Sequence, residues 1–196
     1  MAGVDRRRIE AAVTELLLAI GETPDREGLR MTPHRVADAY AEFFAGVGGD
    51  PLEHLRETIP TELETAGETV IVRDIAFRSV CEHHLLPFTG VAHIAYLPGD
   101  AVVGLGRLPR VVDTLATRPQ VQERLTEQIA AAIDEGLAPR GVLVVLDASH
   151  QCVTMRGPRQ TASTTVTIAS RGELSAGDAR SDVLALIGTG ARSHDG

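Results

Sequence analysis

Both cysteines of this chain lie within three residues of a histidine, and this coincidence restricts the fold more than any other feature of the sequence. Cys81 precedes His83 and His84 in one segment, and Cys152 follows His150 in a second, much later segment. Thiolate and imidazole are preferred zinc ligands, and three of them leave the fourth tetrahedral position open for water. Water bound to zinc ionises near neutral pH, which supplies a nucleophile without a strong base. A fold that uses these residues together must bring two distant segments to one point.

The segments before the candidate ligands have strand composition, which supports their grouping. His150 and Cys152 follow the apolar run Val142–Leu146, and residues two apart on an extended chain project to the same side. Cys81 follows a second strand-like run, Val70–Val80, where a turn can bring positions three apart onto one centre. Taken singly, each cysteine is better explained as an inert buried residue, and each histidine as an ordinary core or surface side chain. The pairing of both cysteines with histidines favours a metal site over these alternatives.

Composition narrows the classes of protein that fit. The 196 residues are 43% hydrophobic and 23% charged, which predicts one well-buried globular domain with an appendage. No apolar run is long enough to span a bilayer, and the arginines at positions 6–8 lead directly into an amphipathic pattern that is unlike a secretory signal. We therefore expect a cytoplasmic protein without membrane contact, in which the cysteines serve metal binding better than a disulfide.

The formal net charge of -8 argues against nonspecific binding to nucleic acid, because such binding needs a broad basic surface. An anionic small substrate remains compatible with the sequence if arginines are concentrated in a pocket. Four arginines close to the motifs are available for this: Arg107, Arg110, Arg156 and Arg159. The alternative is that they are solvated surface charges, as most arginines are.

Apolar patterns divide the chain into four expected regions. These are an N-terminal helical appendage over 1–50, a linker over 51–67, a catalytic α+β domain over 68–172 and a C-terminal tail over 173–196. The appendage contains two amphipathic helices, one near Asp5–Ile20 and one that starts at Thr32 and Pro33. In the tail we expect a short helical turn at Val183–Ile187 and disorder from Gly188 onward.

The central region reads in the order strand, strand, helix, helix, strand, strand. Strand patterns cover Val70–Val80, Val91–Leu97, Val142–Ser149 and Ser163–Ser170, and helical patterns cover Leu108–Ala116 and a stretch from Pro119 past Ile133. This order predicts a four-stranded antiparallel sheet with two helices on one side. The sheet edges of such a thin domain stay open, so we expect a closed ring of identical subunits.

Three motifs resemble the GTP cyclohydrolase I family. They are Ser79–His84, the segment Arg118–Thr126, and His150 and Cys152 followed by Met155-Arg156-Gly157, and the similarity extends over about 32–172. The resemblance implies the tunnelling fold, in which subunits join their sheets into a barrel. It further implies a homodecamer of two pentamers with active sites at subunit interfaces.

The activity implied by the resemblance is conversion of GTP to 7,8-dihydroneopterin triphosphate and formate. One zinc ion per subunit would be held by Cys81, His84 and Cys152, and would supply the hydroxide that opens the guanine imidazole ring. His83 would donate a proton to the imidazole nitrogen, and His150 would act as a second acid–base group around the ribose. Alternatively, each histidine has a supporting structural role beside the metal.

The resemblance also assigns the substrate contacts. Gln122 and Glu123 would bind guanine, since a carboxylate can accept two hydrogen bonds from the amino and ring N–H groups of the base. The alternative is an ordinary solvated helix face. The triphosphate would be bound by arginines, whose guanidinium groups suit phosphate oxygens: Arg107, Arg110, Arg156 and, as a weaker candidate, Arg35.

Some positions depart from the family pattern. The family commonly has Ser-Lys where this chain has Gly106-Arg107, and some members carry a basic residue where this chain has Asp38. The segment Pro158–Gln160, which follows the Met-Arg-Gly motif, also differs from the usual family sequence. These departures leave two alternatives open, a divergent paralogue that acts on a related purine nucleotide and a catalytically silent protein that binds purines or pterins. The product could serve a pterin and folate type of pathway or deazapurine synthesis.

Overall fold

A computed structural model describes residues 3–61 and 68–188 of the chain. Its α-helices are α1 (Arg6–Ala19), α2 (Thr32–Phe43), α3 (Arg107–Ala116), α4 (Gln122–Leu137), α5 (Gln151–Thr154) and α6 (Gly177–Gly188). Its strands are β1 (Thr58–Pro60), β2 (Val70–Cys81), β3 (Pro87–Leu97), β4 (Ala101–Val103), β5 (Pro119–Gln120), β6 (Gly141–His150) and β7 (Thr165–Gly172), and a 3₁₀ helix spans Pro51–Leu55. None of the helices within these described ranges is long and apolar enough to cross a membrane. Expectations for 62–67 and for the tail at 189–196 fall outside the described residues.

The four long strands form the antiparallel arrangement that the sequence predicts, in the order β2-β3-β6-β7, and α3 and α4 connect the two strand pairs. The sheet is nevertheless five-stranded and mixed, because β5 joins its edge parallel to β2. The expected helix start at Pro119 is therefore wrong. Pro119 and Gln120 are extended and pair with Val80 and Cys81, and α4 begins only at Gln122. Proline is tolerated at a sheet edge, and this pairing places the first turn of α4 beside Cys81.

One face of the sheet packs against α3 and α4, and this layer forms the larger hydrophobic core. Leu125, Ile129 and Ile133 recur every four residues along α4 and are fully buried, as expected for one face of an amphipathic helix. Alternate residues of β3, among them Ile94 and Tyr96, belong to the same core. This packing fixes α4 relative to the strands, and with it the position of the helix N-terminus.

The opposite face of the sheet is covered at one end by α6, which is longer than the short turn expected there. Val183 and Ile187 lie one helical turn apart and share a second core with Leu143 and Val145 of β6. These two are the buried residues of α6. The residues of α6 before Val183 are mostly polar, so the apolar pattern in the sequence reveals only the second half of the helix.

The N-terminal region forms the expected pair of helices, and the segment that follows has more regular structure than a linker. Asp5 caps α1, since its carboxylate accepts a hydrogen bond from the N–H of Arg8 at 3.1 Å. After the 3₁₀ helix, β1 pairs with β4 through Thr58 and Val103. A strand of three residues is too short to produce a period, which explains why the sequence pattern there appears irregular. The division into four regions stays an interpretation.

Gly90 lies where β3 and β6 approach each other closely, and its replacement by alanine is expected to destabilise the sheet. A Cβ at this position would lie 2.0 Å from the carbonyl oxygen of Asp147 and 2.6 Å from the Cα of Ala148. Backbone atoms of a central strand cannot move aside easily, so the free energy of unfolding should fall by at least about 1–3 kcal/mol. Gly104→Ala is the control, because the nearest atom to its Cβ is 3.9 Å away. Urea unfolding measures both variants, and equal midpoints would contradict the expectation.

Candidate functional site

Four segments of the chain meet and line a cavity of about 240 Å³. They are the end of β2 with the turn after it, the end of β5 with the start of α4, the end of β6 with α5, and the first residue of β7. The lining includes the expected metal ligands, both histidines expected to be catalytic, and the expected guanine-binding pair Gln122 and Glu123. The fold therefore gathers residues that are far apart in the sequence into one site.

The three candidate metal ligands lie together, with the ligand atoms of Cys81, His84 and Cys152 all within 4.8 Å of one another. A tight turn joins the first two, because the N–H of Leu85 donates to the carbonyl oxygen of Cys81 at 2.8 Å. The Sγ of Cys81 and the Nδ1 of His84 are 4.0 Å apart. Cys152 belongs to the helix α5, which starts directly after His150. The expectation that His150 and Cys152 lie on one extended segment is therefore wrong, although both line the cavity.

The chemistry of these donors fits a zinc ion. Zinc–sulfur bonds of about 2.3 Å and zinc–nitrogen bonds of about 2.0–2.1 Å separate tetrahedral ligand atoms by roughly 3.5–3.8 Å, so only a small contraction is needed. Burial raises the pKa of the Cys152 thiol, and the neighbouring Cys81 raises it further. A divalent cation held by these residues would reverse this effect and favour the thiolates. Two thiols with an imidazole suit zinc better than the oxygen-seeking magnesium or calcium ions.

An ion pair outside the ligand set anchors the turn that carries Cys81 and His84. The carboxylate of Glu82 pairs with Arg124 of α4, and this hydrogen bond lowers the pKa of Glu82. Arg124 also donates to the Oε1 of Gln120 at 3.2 Å. The turn is thereby tied to β5 and to the first turns of α4. Sequence reasoning missed this role, because a Glu beside a Cys and an Arg within a helix carry no signal that they meet.

His150 is held firmly at the cavity wall, whereas His83 is open to solvent. The ring of His150 stacks on Phe88 with centroids 4.5 Å apart and planes at 6°. Burial lowers the pKa of His150, and the charge of Glu123 opposes this effect. The side chain of His83 is 64% exposed, and its ring stands nearly perpendicular to that of His84 with centroids 6.3 Å apart. The two neighbouring histidines thus point differently, so His84 can approach Cys81 while His83 stays accessible from the cavity.

Gln122 and Glu123 are adjacent in the sequence but have opposite environments. The side chain of Gln122 is buried, and its amide bonds to protein groups on both sides. Glu123 is exposed at the edge of the cavity, and its charge acts on His150. Of the two, Glu123 is the side chain that is free to meet a ligand.

Within one subunit, the arginines expected to bind the triphosphate lie away from this cavity. Arg107 and Arg110 line a separate depression together with Gly104–Gly106, and Arg107 pairs there with Glu57. Arg156 is exposed beyond α5, where its charge slightly opposes the rise in the pKa of Cys152 that burial causes, and Arg35 is exposed on α2. Within the described residues, the lining of the first cavity includes none of these four arginines.

Comparison with known proteins agrees with this arrangement. The family model for GTP cyclohydrolase I matches residues 9–188. A protein named GTP cyclohydrolase 1 from Leifsonia xyli subsp. xyli is 67% identical over 191 residues, which cover 97% of this chain and 100% of the relative. Proteins of the same name from Carboxydothermus hydrogenoformans and Rhodopirellula baltica are 55% and 53% identical, covering 94% and 96% of this chain and 96% and 81% of the relatives.

Among solved structures, the archaeosine synthase QueF-Like in its apo form is similar at a TM-score of 0.45 and 17% identity, over 53% of this chain and 93% of that chain. The family model covers most of the sequence, and it includes every segment that lines the cavity. The α+β architecture with its mixed sheet and six α-helices in the described residues is consistent with the tunnelling fold. The chain belongs to the GTP cyclohydrolase I family.

Proposed function

We propose that this chain converts GTP and water to 7,8-dihydroneopterin triphosphate and formate. The observation that carries the proposal is the meeting of Cys81, His84 and Cys152 in one cavity with His150 and a free carboxylate, Glu123. Family membership and the names of the relatives support the same reaction. A cavity with three zinc-type ligands and adjacent acid–base groups suits hydrolysis of a purine ring.

Guanine is the part of the substrate that this cavity recognises. The exposed carboxylate of Glu123 can accept hydrogen bonds from the amino and ring N–H groups of guanine, whereas adenine offers a different pattern. Gln122 and Glu123 also open α4, and Val121 before them provides no side-chain cap. The free N–H groups of this first turn suit a carbonyl oxygen of the base. Gln122 would therefore contact the base through its backbone.

Zinc, one ion per subunit, would be held by Cys81, His84 and Cys152. When bound, it supplies Lewis-acid activation of water for the hydrolytic step. His83 has an exposed ring at the cavity and would donate a proton to the imidazole nitrogen of guanine. His150, fixed by Phe88 and by Gln122, would move protons around the ribose. Burial lowers the pKa of His150, which favours the neutral form that can accept a proton.

We place the triphosphate on arginines that several subunits bring together, with Arg107, Arg110, Arg156 and Arg35 as candidates. The cavity of about 240 Å³ lies below the roughly 300–1,000 Å³ of typical ligand pockets, so one chain encloses only part of a nucleotide. The edge strand β7 also exposes Val166 and Ile168, at 56% and 42%. An open edge with apolar side chains suits the proposed homodecamer of two pentamers, with active sites at subunit interfaces.

The reaction is tested by incubating the zinc-loaded protein with GTP, oxidising the products and detecting fluorescent neopterin. Release of formate in equal amount would confirm the stoichiometry. Parallel incubation with GDP and GMP separates this activity from that of a paralogue acting on nucleotides with fewer phosphates. Binding of GTP without formation of any product would indicate a catalytically silent protein that only binds the nucleotide. The product would serve pterin and folate type or deazapurine synthesis, and the proposed location is the cytoplasm, where GTP is available.

Gly106 gives a sharp test of the triphosphate site, since the family commonly has serine there. A Cβ at Gly106 meets nothing within 4 Å, and its φ of -67° is accessible to any residue. We expect Gly106→Ser to lower the KM for GTP by about tenfold or more, since a hydrogen bond to a charged group contributes about 1.5–3 kcal/mol. Gly106→Ala is the matched control without the hydroxyl and should leave KM near the parent value. An equal gain for GMP would show that the hydroxyl does not act on the outer phosphates.

A further inference from the structure

The buried amide of Gln122 is surrounded by groups that leave it only one orientation. Its Nε2 carries two hydrogens and has three acceptors within hydrogen-bond distance, so one hydrogen is shared: the carbonyl oxygens of Leu146 and Thr165, at 3.2 and 2.8 Å, and the Oγ1 of Thr167 at 3.1 Å. Its Oε1 lies 2.6 Å from the Nε2 of His150. A flipped amide would turn its oxygen toward two carbonyl oxygens, which can only accept. The Oε1 must therefore face His150.

The hydroxyls beside Gln122 strengthen this assignment, because they form a closed circuit with one direction. The Oγ1 of Thr126 donates to the backbone carbonyl oxygen of Gln122 at 2.7 Å. Its proton is thereby used, so in the 2.6 Å contact between Thr126 and Thr167 the hydroxyl of Thr167 is the donor. The Oγ1 of Thr167 is then free to accept from the Nε2 of Gln122. Gln122 is 1% exposed and Thr126 is 1% exposed, so water does not compete for these bonds.

An amide oxygen can only accept, and this determines the protonation of the ring that faces it. His150 must donate from Nε2, and in a neutral imidazole the other nitrogen then carries the lone pair. Within the described part of the chain, no hydrogen bond occupies Nδ1 of His150. Stacking on Phe88 fixes the plane of the ring, and the bond to Gln122 fixes its rotation within that plane.

The geometry points to Gln122 as a positioning residue that fixes His150 in the Nε2–H tautomer and leaves Nδ1 as the atom that exchanges a proton with the substrate. This inference deepens the proposed function and rests on it, because it presupposes that His150 acts on the nucleotide. It assigns the side chain of Gln122 to His150 instead of the guanine base.

Histidine tautomers are read directly by ¹⁵N NMR of zinc-loaded protein labelled in its histidine rings, in the solid state if the assembly is large. The signals of His150 are identified by their loss in His150→Gln. At a pH where the ring is neutral, we expect a protonated, pyrrole-type Nε2 and an unprotonated, pyridine-type Nδ1. A protonated Nδ1 in the parent protein overturns the inference. This measurement needs no turnover, so it stands even if GTP proves not to be the substrate.

Gln122→Leu removes the acceptor and keeps a side chain of similar size. We expect a mixture of His150 tautomers, a kcat lowered by about 10–100-fold, and a KM for GTP within about threefold of the parent. A raised KM with unchanged kcat would instead assign the side chain to the guanine base and overturn the proposal. Thr167→Val is the matched control, since it removes the Thr167 hydroxyl and its partly buried bonds to Gln122 and Thr126 but leaves the Oε1 of Gln122 facing His150. It should preserve the parent's ¹⁵N pattern.

These readouts separate the proposed reaction from the proposed role of Gln122. If the parent protein forms no neopterin, the proposed reaction fails, and the ¹⁵N pattern of the parent still decides the tautomer. If Gln122→Leu does not fold, the ¹⁵N pattern of the parent protein alone decides which tautomer His150 adopts. Unchanged kcat together with an unchanged tautomer in a folded Gln122→Leu would show that Phe88 alone orients the ring, which would refute the role of Gln122.

Discussion

Replacement of Cys152 by serine is expected to abolish formation of 7,8-dihydroneopterin triphosphate, with a loss of at least about 10³-fold in kcat. Cys152 reaches the site from α5, whereas Cys81 and His84 share one turn after β2, so its sulfur closes the ligand set from the other side. A hydroxyl is a poor substitute for a thiolate on zinc, and two remaining ligands hold the ion weakly. The Lewis-acid contribution of several kcal/mol is then lost, and each 1.36 kcal/mol corresponds to about tenfold in rate.

Zinc content decides the cause of this loss. Parent protein stripped by a chelator should lose activity and recover it when zinc is restored, whereas Cys152→Ser should fail to recover at the same zinc concentration. Circular dichroism and the elution volume of the assembly report whether the variant keeps its fold. A variant that retains both zinc and turnover would remove Cys152 from the ligand set. A variant that retains zinc but has no turnover would show that the sulfur is needed for more than holding the ion.

The sequence predicts which residues form this site better than it predicts the backbone conformation that brings them together. Two cysteines beside histidines suffice to predict a metal group, and the structure places Cys81, His84 and Cys152 within 4.8 Å. The extended conformation expected from His150 to Cys152 is nevertheless wrong, because the strand stops at His150 and a short helix begins directly after it. Local patterns predict whether a segment prefers strand or helix, but the residue at which a strand ends depends on the turn that follows. A turn has no periodic pattern of apolar residues from which this end could be read.

Contacts between distant segments are the part that the sequence does not show. The stacking of His150 on Phe88 follows from the register of β3 against β6, which pairs these two residues directly. The ion pair of Glu82 with Arg124 needs the two-residue strand β5, which is too short for any period. The four long strands and the two helices between them were predictable, since each has several residues of clear pattern. The supporting contacts appear only once these elements are packed.

Replacement of Glu123 by glutamine is expected to lower kcat/KM for GTP by about 10²–10⁴-fold. The carboxylate would accept two hydrogen bonds from guanine, and each bond to a charged group contributes about 1.5–3 kcal/mol. Glutamine has one accepting oxygen, and its NH₂ group would face an N–H of the base. Glu127→Gln is the matched control, because Glu127 lies one turn further along α4, is exposed and pairs with Arg171 at 3.0 Å. Steady-state assays of neopterin formation should show little change in this control.

Inosine triphosphate distinguishes recognition of the base from a role in the chemistry. It lacks the 2-amino group of GTP, so the carboxylate of Glu123 would make one bond fewer to it. The parent protein should therefore use inosine triphosphate less well than GTP, and Glu123→Gln should reduce activity on it by a smaller factor. The charge of Glu123 also acts on His150, where it opposes the lowering of the pKa by burial. Losses of equal size on both nucleotides would attribute the effect to His150 or to the ring-opening step, and Glu123 would no longer be the group that selects guanine.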